Sequence, residues 1–136
     1  MDDWMANLFI PDPHTSGDMD WYLERKDRCI EQIWKITSEL MKVGTDAILE
    51  LGLIQLTNRQ HLYSRIDLAG YDLTVYVLEA SREIRRERVR KRNIEKGGTF
   101  AMEVSDRFFD LASNMWESPS ETECTERDIR FMSTEV

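Results

Sequence analysis

The repeat of apolar residues changes several times along this chain, and each change predicts an element. Over residues 19–43, Tyr22, Cys29, Ile30, Ile33, Ile36, Thr37, Leu40 and Met41 recur mostly at steps of three and four, while Glu24, Lys26, Asp27, Glu31 and Lys35 fill the other positions. That period predicts one long amphipathic helix, stopped by Gly44. Residues 47–53 are apolar apart from Glu50 and read as a short buried strand. Thr57 with Gln60 three residues on predicts a capping box that opens a helix through Ala69, closed by Gly70. Residues 73–78, rich in β-branched and aromatic side chains, predict a second strand.

Beyond that strand, Ser81 is placed to cap a basic helix ending at Gly97-Gly98. Ser105 opens another helix, with Phe108, Phe109, Leu111, Ala112, Met115 and Trp116 as its apolar surface, ended by Pro119 and its polar neighbours. Residues 128–132 form a third, weaker strand pattern. Residues 11–18, with two prolines and a glycine among small polar residues, read as a loop. A strand, a capped helix and a strand in close succession predict an α/β fold, a parallel sheet flanked by helices. Ligands in such folds gather at the carboxyl ends of the strands. Those ends hold Glu50, Gly52 and Gln55, and then Glu79, Ala80 and Ser81.

Length and composition narrow the classes. A chain of 136 residues, 41% hydrophobic and 32% charged, fits one domain over residues 1–136 with a core that needs neither disulfide nor metal. No apolar run approaches the ~18 residues of a membrane span, and the start Met1-Asp2-Asp3-Trp4 is acidic where a signal peptide is basic. A cytoplasmic protein without a membrane partner is the expectation. Cys29 and Cys124 form no CxxC pair, and His14 and His61 sit in no metal-binding pattern.

Charge changes the picture more. The formal net charge is −8, which argues against a nucleic-acid partner. Yet residues 82–96 carry eight basic side chains, Arg82, Arg85, Arg86, Arg88, Arg90, Lys91, Arg92 and Lys96, against Glu83, Glu87 and Glu95. Arg88 and Arg92 are four apart, hence on one helical face, and Arg85 extends that row by a turn. Guanidinium forks suit phosphate oxygens. A solvated helix laced with Glu–Arg and Glu–Lys pairs is the alternative reading of the same residues.

Several segments together resemble a known family, the P-loop nucleoside-triphosphate-dependent predicted kinases, also described as AAA-type ATP-binding proteins. The likeness rests on Asp2-Asp3-Trp4-Met5 with Leu8-Phe9, Trp21-Tyr22-Leu23-Glu24-Arg25, and Ile48-Leu49-Glu50-Leu51-Gly52. It continues through Arg88-Val89-Arg90-Lys91-Arg92-Asn93, Gly98-Thr99-Phe100, Glu103-Val104-Ser105-Asp106 and Phe108-Phe109-Asp110. The resemblance implies ATP and Mg2+ as cofactors, and phosphoryl transfer to a small hydroxylated acceptor. It implies Asp2 as the acceptor-activating base with Asp3 beside it, and Glu50 as a catalytic carboxylate. Arg85, Arg88 and Arg92 become a phosphate-binding lid, and Gln55 and Arg59 contact the acceptor. Thr99 and Phe100 follow a glycine hinge.

One part of the family pattern is missing, because no GxxxxGK[ST] occurs among the six glycines. The resemblance therefore implies an acceptor-binding and lid portion without its first strand and phosphate loop, a truncated form inactive alone. Exposed strand edges would then invite self-association. A non-enzymatic module binding an anion or partner through the basic helix is the other expectation.

Overall fold

The computed structural model describes residues 1–12 and 19–135. The loop expected over residues 11–18, and His14 with it, therefore lies largely outside the described residues. The chain divides into two compact units, Met1–Gly52 with Arg92–Phe108, and Leu53–Lys91 with Phe109–Val136.

In the first unit, α1 (Asp2–Leu8) and α2 (Met19–Lys42) are the main elements. Helix α2 forms where the three-and-four repeat predicts it. Its buried positions are Lys26, Cys29 and Thr37, so a lysine assigned to the outer face lies inward instead. Lys26 Nζ donates to the Gly52 carbonyl at 3.1 Å, an acceptor 26 residues away. Met5 of α1 is fully buried, and the Tyr22 ring meets Phe108 edge-on with centroids 5.1 Å apart. Asn93 holds Val104 from both sides, donating to its carbonyl at 2.7 Å and accepting from its N–H at 3.2 Å. Gly44 adopts φ +82° just beyond the helix, as a C-terminal stop requires.

The strand expected over residues 47–53 does not form; the segment is irregular and joins no ladder. Leu51 is its one buried apolar anchor, whereas Ile48 is fully exposed. Gly52 at φ +58° turns the backbone out of the extended region at the point where the strand would continue. Without a partner strand, an apolar run secures only the side chain that finds a core.

In the second unit, α3 (Leu56–Ala69), β1 (Thr74–Glu79), α4 (Arg82–Glu95), α5 (Asp106–Asn114), α6 (Glu121–Glu126) and β2 (Asp128–Ser133) follow in order, except that residues 92–95 of α4 and 106–108 of α5 are counted with the first unit. β1 and β2 pair in parallel, from Thr74↔Asp128 to Glu79↔Ser133. The parallel pair thus joins the second and third expected strands, a mixed helix and strand arrangement with a two-stranded parallel sheet, compatible with the expected α/β class. One face of the pair carries Val75, Val77, Ile129 and Phe131, of which Val77 is buried and Phe131 is exposed. The other face leaves Tyr76, Leu78 and Met132 exposed. Tyr63, Ile66 and Phe109 complete this unit's buried apolar set.

Helix α3 is capped two residues earlier than expected, by Gln55 in place of Thr57, and without a side-chain cap bond. A distant carboxylate does that work: Leu56 N–H donates to Glu117 Oε2 at 2.7 Å. Gly70 closes the helix in the left-handed region at φ +71°. Helix α6 carries a full capping box between Ser120 and Glu123.

Candidate functional site: the carboxyl ends of the parallel strands

The second unit gathers its polar chemistry where β1 and β2 end. The ladder continues one step past the strands, since Thr134 N–H donates to the Glu79 carbonyl at 2.8 Å, and Thr134 Oγ1 donates to the same oxygen at 3.0 Å. Arg88, two turns into α4, reaches back to this residue. Its Nη1 donates to Thr134 Oγ1 at 3.0 Å and its Nη2 to the Thr134 carbonyl at 2.6 Å. The next residue supplies an anion: the Glu135 carboxylate accepts from the backbone N–H of Ser81, immediately before α4. Arg85 Nε donates to the Ala80 carbonyl at 3.2 Å, fixing the same turn.

These contacts have a common cause. The first N–H groups of a helix lack intrahelical acceptors and carry partial positive charge, so a carboxylate is stabilised there. Ser81 Oγ lies 3.5 Å from Ile84 N, a long cap bond, while its own N–H is taken by Glu135. A short strand-to-helix turn thus presents an N–H group and guanidinium groups near one another. The arrangement can hold an anionic oxygen.

The rest of the arginine-rich helix is differently engaged. Arg82 donates to Asn114 Oδ1 at 2.9 Å, and both Arg82 and Arg86 donate to the Asp110 carboxylate. Those two guanidinium groups hold the Asp110 carboxyl down at about 2, from an ordinary 3.8. Arg85 and Arg86 also lie over the Phe109 ring, 5.8 and 4.8 Å from its centroid. Arg88, by contrast, is exposed and hydrogen-bonded only to neutral groups at Thr134 among the contacts seen. Arg92 falls in the first unit, and its buried Nε has no hydrogen-bond partner among the described residues.

The remaining expected site residues are dispersed. Asp2, Asp3 and Glu50 belong to the first unit and are exposed. Asp2 lies near Tyr22, whose hydroxyl is pushed up to about 12 by burial first and by the Asp2 charge second. Glu50 sits in the irregular segment rather than at a strand end, because that strand is not formed. Gln55 is the N-cap residue of α3 in the second unit.

Arg59 is buried. Its Nε and Nη2 donate to Glu123 at 2.8 and 3.1 Å, and its Nη1 donates to the Leu53 and Glu117 carbonyls at 3.3 and 2.9 Å. Tyr63 adds its hydroxyl to Glu123 at 3.3 Å. Here the guanidinium holds the unit together and leaves no fork open to an acceptor.

Two residues of the candidate site, Thr134 and Glu135, carry no sequence signal. A lone Thr-Glu pair matches no motif, and its partners lie 46 to 55 positions away. Among the described residues, no group of three His, Cys, Asp or Glu side chains is placed to hold a metal ion. The sequence contains no GxxxxGK[ST]. No helix among the described residues is long and apolar enough to cross a membrane. Comparison with family models, with curated proteins and with solved structures finds no match to the chain.

Proposed function

We propose that this chain is a non-catalytic anion-binding module of the P-loop kinase-like type, taking a phosphate-bearing ligand at the carboxyl ends of β1 and β2 through the start of α4. The supporting observation is the carboxylate already seated on the Ser81 N–H, next to a segment that Arg88 grips. That location is where open parallel sheets bind ligands. The ligand class is a small phosphate compound, with a nucleoside triphosphate as the family resemblance suggests. Arg88 supplies the exposed fork, the Ser81 N–H a neutral donor, and Arg85 holds the turn.

Phosphoryl transfer needs cations around the phosphates and a positioned carboxylate beside the acceptor. In this reading the 136 residues supply part of the cation set and no turnover. The test is titration of the full chain with inorganic pyrophosphate, and separately with ATP, followed by backbone amide shifts. Saturable shifts at Ser81 and Arg88 are expected. Titrations that move neither residue would overturn the reading, and transfer from ATP at roughly 1–100 per second would overturn its non-catalytic part.

A further inference from the structure

We propose that the C-terminal half of α2 is a self-association surface, on which two copies of the chain pair through antiparallel α2 helices, Leu40 of each seated in a socket of the other. An open groove of about 420 Å³ lies along this half of the helix, lined by Gln32, Lys35, Ile36, Glu39 and Leu40. Residues three and four apart are neighbours on a helix surface. Gln32, Lys35, Ile36 and Glu39 therefore outline the four-cornered hole that receives a side chain from a facing helix. Beside it runs an apolar stripe, with Ile36 43%, Leu40 47% and Val43 78% exposed. Their steps of four and three are those of a helix-pairing seam. Lys26, Cys29 and Thr37 already serve as the buried positions of α2, so the stripe is surplus to the unit's own core.

Charge selects the occupant. The groove's rim carries one cation and one anion, Lys35 and Glu39, a turn apart on the same side. In a parallel pair each would meet its like on the second copy, and like charges set against each other oppose association. In an antiparallel pair about a two-fold axis, Ile36 lies opposite Leu40 of the second copy, at the level of the socket. Lys35 then comes within reach of Glu39 of the second copy, and the axis repeats that pair in reverse, as a self-complementary interface requires. A partner of single charge would satisfy one rim residue and repel the other. Glu39 at present accepts from Lys42 at 2.7 Å, with the two side chains 74% and 62% exposed. Such an exposed pair holds little energy and does not bar the exchange.

The experiment is sedimentation equilibrium of the full chain over a concentration series, with helicity checked by circular dichroism. Wild type is expected to approach twice the mass of one chain as concentration rises. Leu40→Glu, at unchanged helicity, is expected to associate at least about tenfold more weakly. Lys35→Glu and Glu39→Lys are each expected to weaken association, and the double variant Lys35→Glu, Glu39→Lys to regain the wild-type value. A wild-type chain that stays monomeric at every concentration would overturn the proposal. Association undiminished in Leu40→Glu would overturn this surface and assign the contact to another part of the chain, such as the strand edges. Charge variants that leave association unchanged, or that weaken it without recovery in the double variant, would overturn the antiparallel arrangement.

Discussion

Arg59 and Glu123, 64 positions apart, form a buried two-bond ion pair with side chains only 5% and 7% exposed. The pair joins the first turn of α3 to the capping box of α6, because the same Glu123 carboxylate accepts from Ser120 N–H at 2.9 Å. Breaking one side leaves the other charge buried without its partner, which costs about 3–5 kcal/mol. Glu123→Gln and Arg59→Met are each expected to lose stability on that scale in urea unfolding. The Arg59→Met, Glu123→Leu double variant is expected to lose much less than the sum, since both desolvation costs vanish together.

The same carboxylate shapes the acid limb of the stability curve. Arg59 first, then the Ser120 backbone, hold the Glu123 carboxyl below its ordinary 4.5 against the opposing effect of burial. A depressed folded-state value means that the stabilisation is complete above pH 4.5 and is lost as pH falls through the lowered value. Asp110 acts in the same direction between 3.8 and about 2. Acid unfolding of wild type is expected below about pH 4.5, with a shallower dependence in Glu123→Gln. The Asp110 carboxyl carbon, followed by NMR, is expected to titrate near 2 and to move toward 3.8 in Arg82→Ala, Arg86→Ala.

Lys26 reverses the sign. Burial lowers its ammonium below the ordinary 10.5, and the contact seen for Nζ is a single backbone carbonyl. Below the folded-state value the charge is carried in both states, and its burial opposes folding. As pH rises from there toward 10.5 the folded form sheds its proton first, so stability climbs. Lys26→Met is expected to be at least as stable as wild type at pH 7 and to lose the alkaline rise, measured by urea unfolding at pH 7 and 10.

Gly70 and the Gly97-Gly98 pair separate two uses of glycine. Gly70 holds φ +71° at the end of α3, where a side chain has free space but an unfavourable backbone. Gly70→Ala is expected to cost about 1 kcal/mol. Neither Gly97 nor Gly98 needs the left-handed region, and both also face open space. Alanine at either position is expected to leave thermal stability unchanged or slightly raised.

Elements with a local signature were legible in the sequence. Gly44 and Gly70 mark real helix ends, Ser105 accepts from Phe108 N–H at 3.2 Å as a cap, and both strands of the parallel pair lie within a residue of their expected bounds. Residues 47–53 mislead because an apolar run reports burial potential and cannot report whether a neighbouring strand exists. Helix α6 was readable from Ser120 and Glu123 at capping-box spacing, but the surrounding polar run lacks the apolar repeat that draws attention to a helix. At the candidate site the basic face of α4 was legible, and its partners were not. Glu135 reaches Ser81 through the strand register, which brings together residues 54 positions apart.

In the proposed reading, the exposed guanidinium of Arg88 and the N–H of Ser81 act as joint anion donors. Calorimetric titration of the full chain with inorganic pyrophosphate, in wild type and Arg88→Ala, tests it most directly. Saturable binding that weakens at least about tenfold in Arg88→Ala is expected, with Arg82→Ala, whose side chain is bonded to Asp110 and Asn114, near wild type. Equal affinity in wild type and Arg88→Ala, or no heat of binding in either folded protein, would contradict the account.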